Sequence, residues 1–214
     1  MPPRRSSSAP SDLIFLNVPF DHQYEPVYLA LIAGLVRLGL RPRCVLEIPT
    51  QKNRLSRIFK LIQSCGSSIH DLSRVESSDG YPRFNMPFEA GLAIAWAQVA
   101  GRRHRWFLLE KESYRLQRTL SDLNGFEVFT HGGTGHGLLA ALPNMFLRRE
   151  SPVMSELLAC TRDLHAMAKG LKKEIGEDDL FQPAAFRKLA LAAAEIAQLS
   201  RLELLPPWRG AGEL

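Results

Sequence analysis

Glu89 sits in the stretch PRFNMPFEAG, residues 82–91, behind a proline and a phenylalanine and two residues before a glycine. That placement suits the first turn of a helix, where the dipole would hold a carboxylate ionised. An ionised carboxylate beside a carbon that develops positive charge can act as nucleophile or as electrostatic stabiliser. The same dipole makes first-turn glutamates common for structural reasons alone, so both readings stand. Two further carboxylates, Asp21 and Asp71, follow short apolar runs in LNVPFD and SSIHDLS. Phe20 offers a ring that can stack on a base or simply fill the core. Arg74 and Arg83 lie in an irregular segment and are either phosphate ligands of the bidentate kind or solvated loop residues.

These side chains need a frame. LIFLNVPF (13–20) is a short apolar run of the kind that forms a buried central strand. Pro26 then sits where a first helical residue is tolerated. Tyr28, Leu31, Ile32, Leu35 and Leu38 follow at helical spacing, and Gly39 supplies the stop. RCVLEI (43–48) reads as a second strand. Asn53 can cap a helix whose apolar face carries Leu55, Ile58, Phe59 and Ile62, and which ends at Gly66. SSIHDLS (67–73) is a third strand, followed by a helix from about 86 to 100 with Phe88, Leu92, Ala95 and Val99 on one face. RWFLLE (105–110) and FEVFTH (126–131) complete the strands, with a polar helix near 112–123 between them. HGGTGHG leads into a helix that Pro143 should kink or end.

A β-α unit repeated in this way predicts an α/β fold with an open five-stranded parallel sheet. Right-handed crossovers leave few topologies, and the flavodoxin-like order 2-1-3-4-5 is the expected one. Ligands of such sheets bind outside the carboxyl ends of the strands, at the switch point between strands 1 and 3. Asp21, Asp71, Ser73 and Glu89 should therefore share one crevice with Phe20. Beyond Glu150 the pattern changes to two Leu- and Ala-rich helices, 152–176 and 183–204, forming a hairpin. Leu157, Leu164 and Leu171 should bury one face of it. The expected division is a disordered tail at 1–12, an α/β domain at 13–150 and a helical appendage at 151–214.

Composition narrows the function classes. Apolar residues make up 45% of the 214 and charged residues 23%, ordinary for a globular chain. Cys44, Cys65 and Cys160 have no CxxC spacing, so neither a zinc site nor a disulfide framework is expected, and reduced thiols in a cytoplasm are the simplest reading. His131 and His136 lack ligand-spaced partners, so no metal is expected. No leader-like apolar segment follows Arg4 and Arg5, and no run is long enough to span a bilayer. The net charge of +5 includes clusters at GRRHR (101–105) and LRRE (147–150), which could attract phosphates or nucleic acid or be a solvated surface. HGGTGHG lacks the P-loop pattern.

Taken in order, LNVPFD, SSIHDLS and FNMPFEAGLAIA resemble the nucleoside 2-deoxyribosyltransferase-like group, structurally akin to TIR domains, across residues 13–131. The resemblance implies cleavage of the N-glycosidic bond of a nucleoside, nucleotide or NAD, with no cofactor. It makes Glu89 the catalytic carboxylate and Asp71 a sugar-side residue, and it places Asn85 in the turn that opens the helix. It also implies a homo-oligomer and allows an NAD-degrading defence effector. Arg74 and Arg83 favour a substrate with phosphate, since a plain nucleoside has no use for them. Two rivals remain from the sequence: a non-catalytic nucleotide-sensing domain, and a nucleic-acid-associated module that uses the basic clusters.

Overall fold

A computed structural model describes residues 12–50, 53–76, 81–146, 151–175 and 179–203. Its centre is a parallel sheet in the order β2-β1-β3-β4-β5, the flavodoxin-like arrangement. The strands are β1 (Leu13–Asn17), β2 (Arg41–Cys44), β3 (Ser67–Asp71), β4 (Arg105–Glu110) and β5 (Val128–Thr130). Helices α1 (Glu25–Arg37), α2 (Arg54–Ser64), α3 (Asn85–Ala100), α4 (Arg115–Thr119) and α5 (Gly135–Met145) alternate with them, and α6 (Met154–Ile175) and α7 (Pro183–Glu203) follow. β1 pairs with β3 through Leu16↔Ile69 and Asn17↔His70, which brings the exits of the two strands side by side.

Several boundaries differ from the sequence expectation, each for a local reason. The second strand stops at Cys44, and Val45–Glu47 form a 3₁₀ turn. The Glu47 carboxylate accepts from Cys44 N–H at 3.0 Å and from Arg43 Nε at 2.9 Å, which closes the turn where a strand would have continued. The third strand ends at Asp71, because the backbone turns into a loop that the Asp71 carboxylate itself holds through Ser73 N–H. The polar helix near 112–123 is a short α4 and a separate 3₁₀ turn at Ser121–Leu123. Pro143 lies in the last turn of α5, which ends two residues later at Met145. Asn53 precedes α2 in a left-handed conformation (φ 66°) without a side-chain cap bond. HGGTGHG does build the strand-to-helix turn: Gly132 and Gly133 take positive φ, and Thr134 Oγ1 accepts from Gly137 N–H at 3.0 Å. A Cβ on Gly137 would lie 2.2 Å from His131 O, so only glycine fits there.

The helical hairpin is part of the main core. Helix α1 is buried from Val27 to Leu35, between the sheet on one side and α6 and α7 on the other. Leu157, Leu164 and Leu171 form the expected buried stripe, and Cys160 lies in the same cluster. Arg37–Glu156 (3.0 Å) and Lys172–Glu25 (2.8 Å) tie α6 to α1 at its edges. Leu164→Ala should therefore cost about 2–5 kcal/mol, the range for a buried leucine that leaves a cavity, read as a lower urea midpoint. Asp12, expected in the tail, already accepts from Arg41 N–H; the rest of that tail, the 147–150 cluster and residues 204–214 lie outside the described residues.

The face of α3 is a correction. Phe88, Ala95 and Val99, expected on the buried face, are exposed. Met86, Glu89, Ala90 and Ala93 are the buried residues, so the helix is turned by roughly a third of a revolution from the expectation.

Candidate active site

Two cavities open at the carboxyl edge of the sheet. The larger, about 650 Å³, lies between the end of β1 and helices α2 and α3, and its lining includes Asn17, Phe20, Arg54, Arg83, Asn85 and Glu89. That size suits a small-molecule ligand. The second, about 330 Å³, lies on the α1 and α5 side and is lined among others by Tyr24, Ser73, Arg74, Arg115 and His131.

Strand alternation explains why there are two. On β1 and β3, Ile14, Leu16 and Ile69 join the core cluster under α1, whereas Phe15 packs with α2 and α3. With period two, Asp71 shares the face of Ile69, and Asn17 and His70 share the face of Phe15. Asp71 is therefore on the far side of the sheet edge from Glu89. The single crevice expected for the two carboxylates is replaced by separate environments on one edge.

Asp71 is 0% exposed and lines neither cavity. Its Oδ2 accepts from the Tyr24 hydroxyl at 2.5 Å and its Oδ1 from Ser73 N–H at 2.9 Å. His131 Nε2 lies 3.1 Å from Oδ2, in close contact though outside hydrogen-bond geometry. His131 Nδ1 accepts from Gly133 N–H, so in the neutral ring the proton sits on Nε2, facing Asp71. Burial pushes the Asp71 carboxyl up, but His131, Tyr24 and Ser73 together outweigh it and hold the group below its ordinary value.

Glu89 has the opposite surroundings. Because α3 begins at Asn85, Glu89 falls in the second helical turn, where the dipole is weaker. It is 8% exposed, and its Oε2 is buried with no hydrogen-bond partner among the described residues. Burial pushes its carboxyl up to about 7, against the pull of the Arg54 charge. Desolvation thus overrides the dipole that was expected to keep it ionised.

The other expected residues divide between the cavities. Phe20 lines the larger one and also packs on Tyr28 (6.2 Å, edge-on) and Phe181 (5.9 Å), so it is wall and core at once. Asn85 sits at the mouth, and Ser73 lines the smaller cavity. Asp21 is a clasp between loops: its Oδ2 accepts from Arg74 Nε and Arg83 Nη1, both at 2.8 Å. Burial raises the Asp21 carboxyl, but the two guanidinium groups overrule it and keep the group below its ordinary value. Arg74 and Arg83 therefore each have part of their donor set committed within the chain. In the GRRHR cluster, His104 is buried and Arg105 lies over the Phe107 and Phe146 rings at 5.6 and 5.7 Å, at the other end of the strands.

Asn17, Arg54, Tyr24 and His131 were missed. Arg54 fixes the loop after β2 by donating to Ile48 O and Val45 O. Asn17 ends a buried relay. Its Nδ2 donates to Met86 O at 2.7 Å and to His70 Nδ1 at 3.1 Å. His70 Nε2 is 2.9 Å from Ser68 Oγ, which is 3.1 Å from His104 Nε2, and His104 Nδ1 is 2.9 Å from Cys65 O. The carbonyl can only accept, so His104 carries its proton on Nδ1, Ser68 donates to Nε2, and His70 donates to Ser68. Every bond then runs in one direction. Burial and the nearby His104 push His70 down to about 3. The His70 ring should accordingly show no titration between pH 8 and 4 in a ¹⁵N-imidazole NMR series.

Comparison with family models, with curated proteins and with solved structures gives no match. No helix among the described residues is long and apolar enough to cross a membrane. No cluster of His, Cys, Asp and Glu that could hold a metal occurs among them, and all three cysteines are free and buried.

Proposed function

We propose that this chain is an N-glycosidase or deoxyribosyltransferase-type enzyme that cleaves the base–sugar bond of a nucleotide, nucleoside or NAD in the larger cavity. The observation that carries the reading is Glu89: a carboxyl group with an unpartnered buried oxygen, raised to about 7, in a cavity of about 650 Å³ at the sheet's switch point. A buried carboxyl poised near neutrality, one oxygen of which has no hydrogen-bond partner among the described residues, suits a reacting group.

The chemistry follows from that group. As the bond from the anomeric carbon to the base nitrogen breaks, its electron pair leaves with the base and positive charge grows on the sugar. The ionised Glu89 attacks that carbon or stabilises its charge, and water or a second base then completes hydrolysis or transfer. Arg83 and Arg54, both in the lining, would attract a phosphate on the sugar. The test is chromatography for free base after incubation with a panel of nucleosides, nucleotides and NAD. Release from any of them supports the reading, and release of nicotinamide from NAD would show the NAD-degrading activity that a defence effector of this kind requires. Binding without release, seen as a ligand-dependent rise in Tm, would favour the nucleotide-sensing reading instead.

A further inference from the structure

Helix α3 carries a single charged residue, Glu89, and that one is turned inward. Its outward line, begun by the preceding Phe84, runs through Phe88, Gly91, Ala95 and Val99. Phe84 is 72% exposed, Phe88 53% and Val99 74%. A helix that is apolar on every side belongs in an interior, yet one side of this one is bare.

Gly91 adds an independent observation. It lies in mid-helix without a positive φ, and a Cβ built on it meets nothing within 4 Å. Neither the backbone nor packing among the described residues requires glycine there, although glycine in a helix interior costs about 0.5–1 kcal/mol relative to alanine. What a bare Cα does provide is close approach of a second helix.

We propose that α3 is the interface of a homodimer, in which two copies of the helix cross antiparallel about a two-fold axis between residues 91 and 92. That axis sets Phe88 opposite Ala95 of the second copy and Phe84 opposite its Val99, with Gly91 at the crossing. Each ring meets a smaller side chain, so the line is complementary to itself, as an isologous contact must be. Antiparallel packing also places the positive amino end of α3 against the negative carboxyl end of its copy. No charge on the outward line has to be desolvated. A helix of 16 residues is about 24 Å long, and exposed Leu55 on α2, which shares a cavity lining with Phe88, adds a further apolar side chain beside the line. The rest of the chain offers less suitable covers. Residues 1–11, MPPRRSSSAPS, hold no large apolar side chain apart from Met1, and residues 204–214 follow α7, which packs on the opposite face of the sheet. Phe88 and Leu55 also line the larger cavity, so the second copy would close its rim.

Sedimentation equilibrium of the full chain at micromolar concentration should give a dimer. Val99→Lys should give a monomer with an unchanged circular dichroism spectrum, since Val99 is exposed. The double variant Phe88→Cys/Ala95→Cys should form a covalent dimer on mild oxidation. Seven helical residues separate the pair by about 10 Å, too far for a bridge within one helix, and the native cysteines are buried. A monomeric wild type, or a dimer that survives Val99→Lys and does not cross-link, would overturn the proposal. So would a monomer whose apolar dye binding rises only when residues 204–214 are removed, which would assign the cover to that segment.

Discussion

Glu89→Gln should lower base release by ~10²–10³, the usual cost of removing one well-placed electrostatic group, while the protein stays folded. The amide has the shape of the acid, and burial already favours the neutral form of this side chain. The pH dependence of stability gives a second reading on the same pair of proteins. The folded value, about 7, lies above the ordinary 4.5, so the folded state binds the proton more tightly than the unfolded chain. Stability from this group is fully present below pH 4.5 and is lost as the pH rises toward 7, by up to about 3 kcal/mol. Glutamine has no such dependence. The variant should therefore melt at a higher temperature than the wild type above pH 7, and the gap should close toward pH 4.5. Full turnover in the variant would remove Glu89 from the chemistry, and a wild-type melting curve flat across that range would contradict the burial argument.

Asp71→Ala should instead cost stability, about 1–3 kcal/mol for each buried polar group it strands, measured as a lower denaturant midpoint. The substitution strands a buried tyrosine hydroxyl and leaves His131 Nε2 facing nothing. The sign of the pH effect is opposite to that of Glu89. The Asp71 carboxyl is held below its ordinary value, so its contribution is present at neutral pH and is lost as the pH falls through the lowered folded value. Acid should narrow the difference between wild type and variant. An Asp71→Ala protein with an unchanged midpoint but no base release would return Asp71 to the sugar side of the reaction.

Much of the frame was legible because it rests on local pattern. β4 matches its predicted span residue for residue, since RWFLLE is bounded by a basic turn and a polar loop. The hairpin was equally plain, because Leu157, Leu164 and Leu171 repeat at a helical interval. The site was only partly legible. Strand alternation was in the sequence, and applied to SSIHD it would have separated His70 from Asp71 and placed the latter away from α3. The orientation of α3 was not available, because a helix apolar on nearly every side has no periodicity to reveal its buried face. Nor could spacing show that Asp21 would claim Arg74 and Arg83, residues 53 and 62 positions away. The Glu89 environment depended on tertiary burial outweighing a local dipole.

The one-way relay behind Asn17 has a consequence for any molecule that enters the larger cavity. Both amide hydrogens of Asn17 are already spent, on Met86 O and on His70. The amide cannot rotate by half a turn without breaking both bonds and turning its oxygen, an acceptor, toward Met86 O and toward the lone pair of His70 Nδ1, whose tautomer is fixed from the other end by Cys65 O. What Asn17 has left to offer is a lone pair. The ionised Glu89 offers lone pairs as well, whereas Arg54 and Arg83 offer only hydrogens. The cavity is thus polarised like a socket with two unlike contacts. A guest must bring hydroxyl or amino hydrogens to one and bare oxygens to the other, and a guest inserted the wrong way round would meet four mismatched partners.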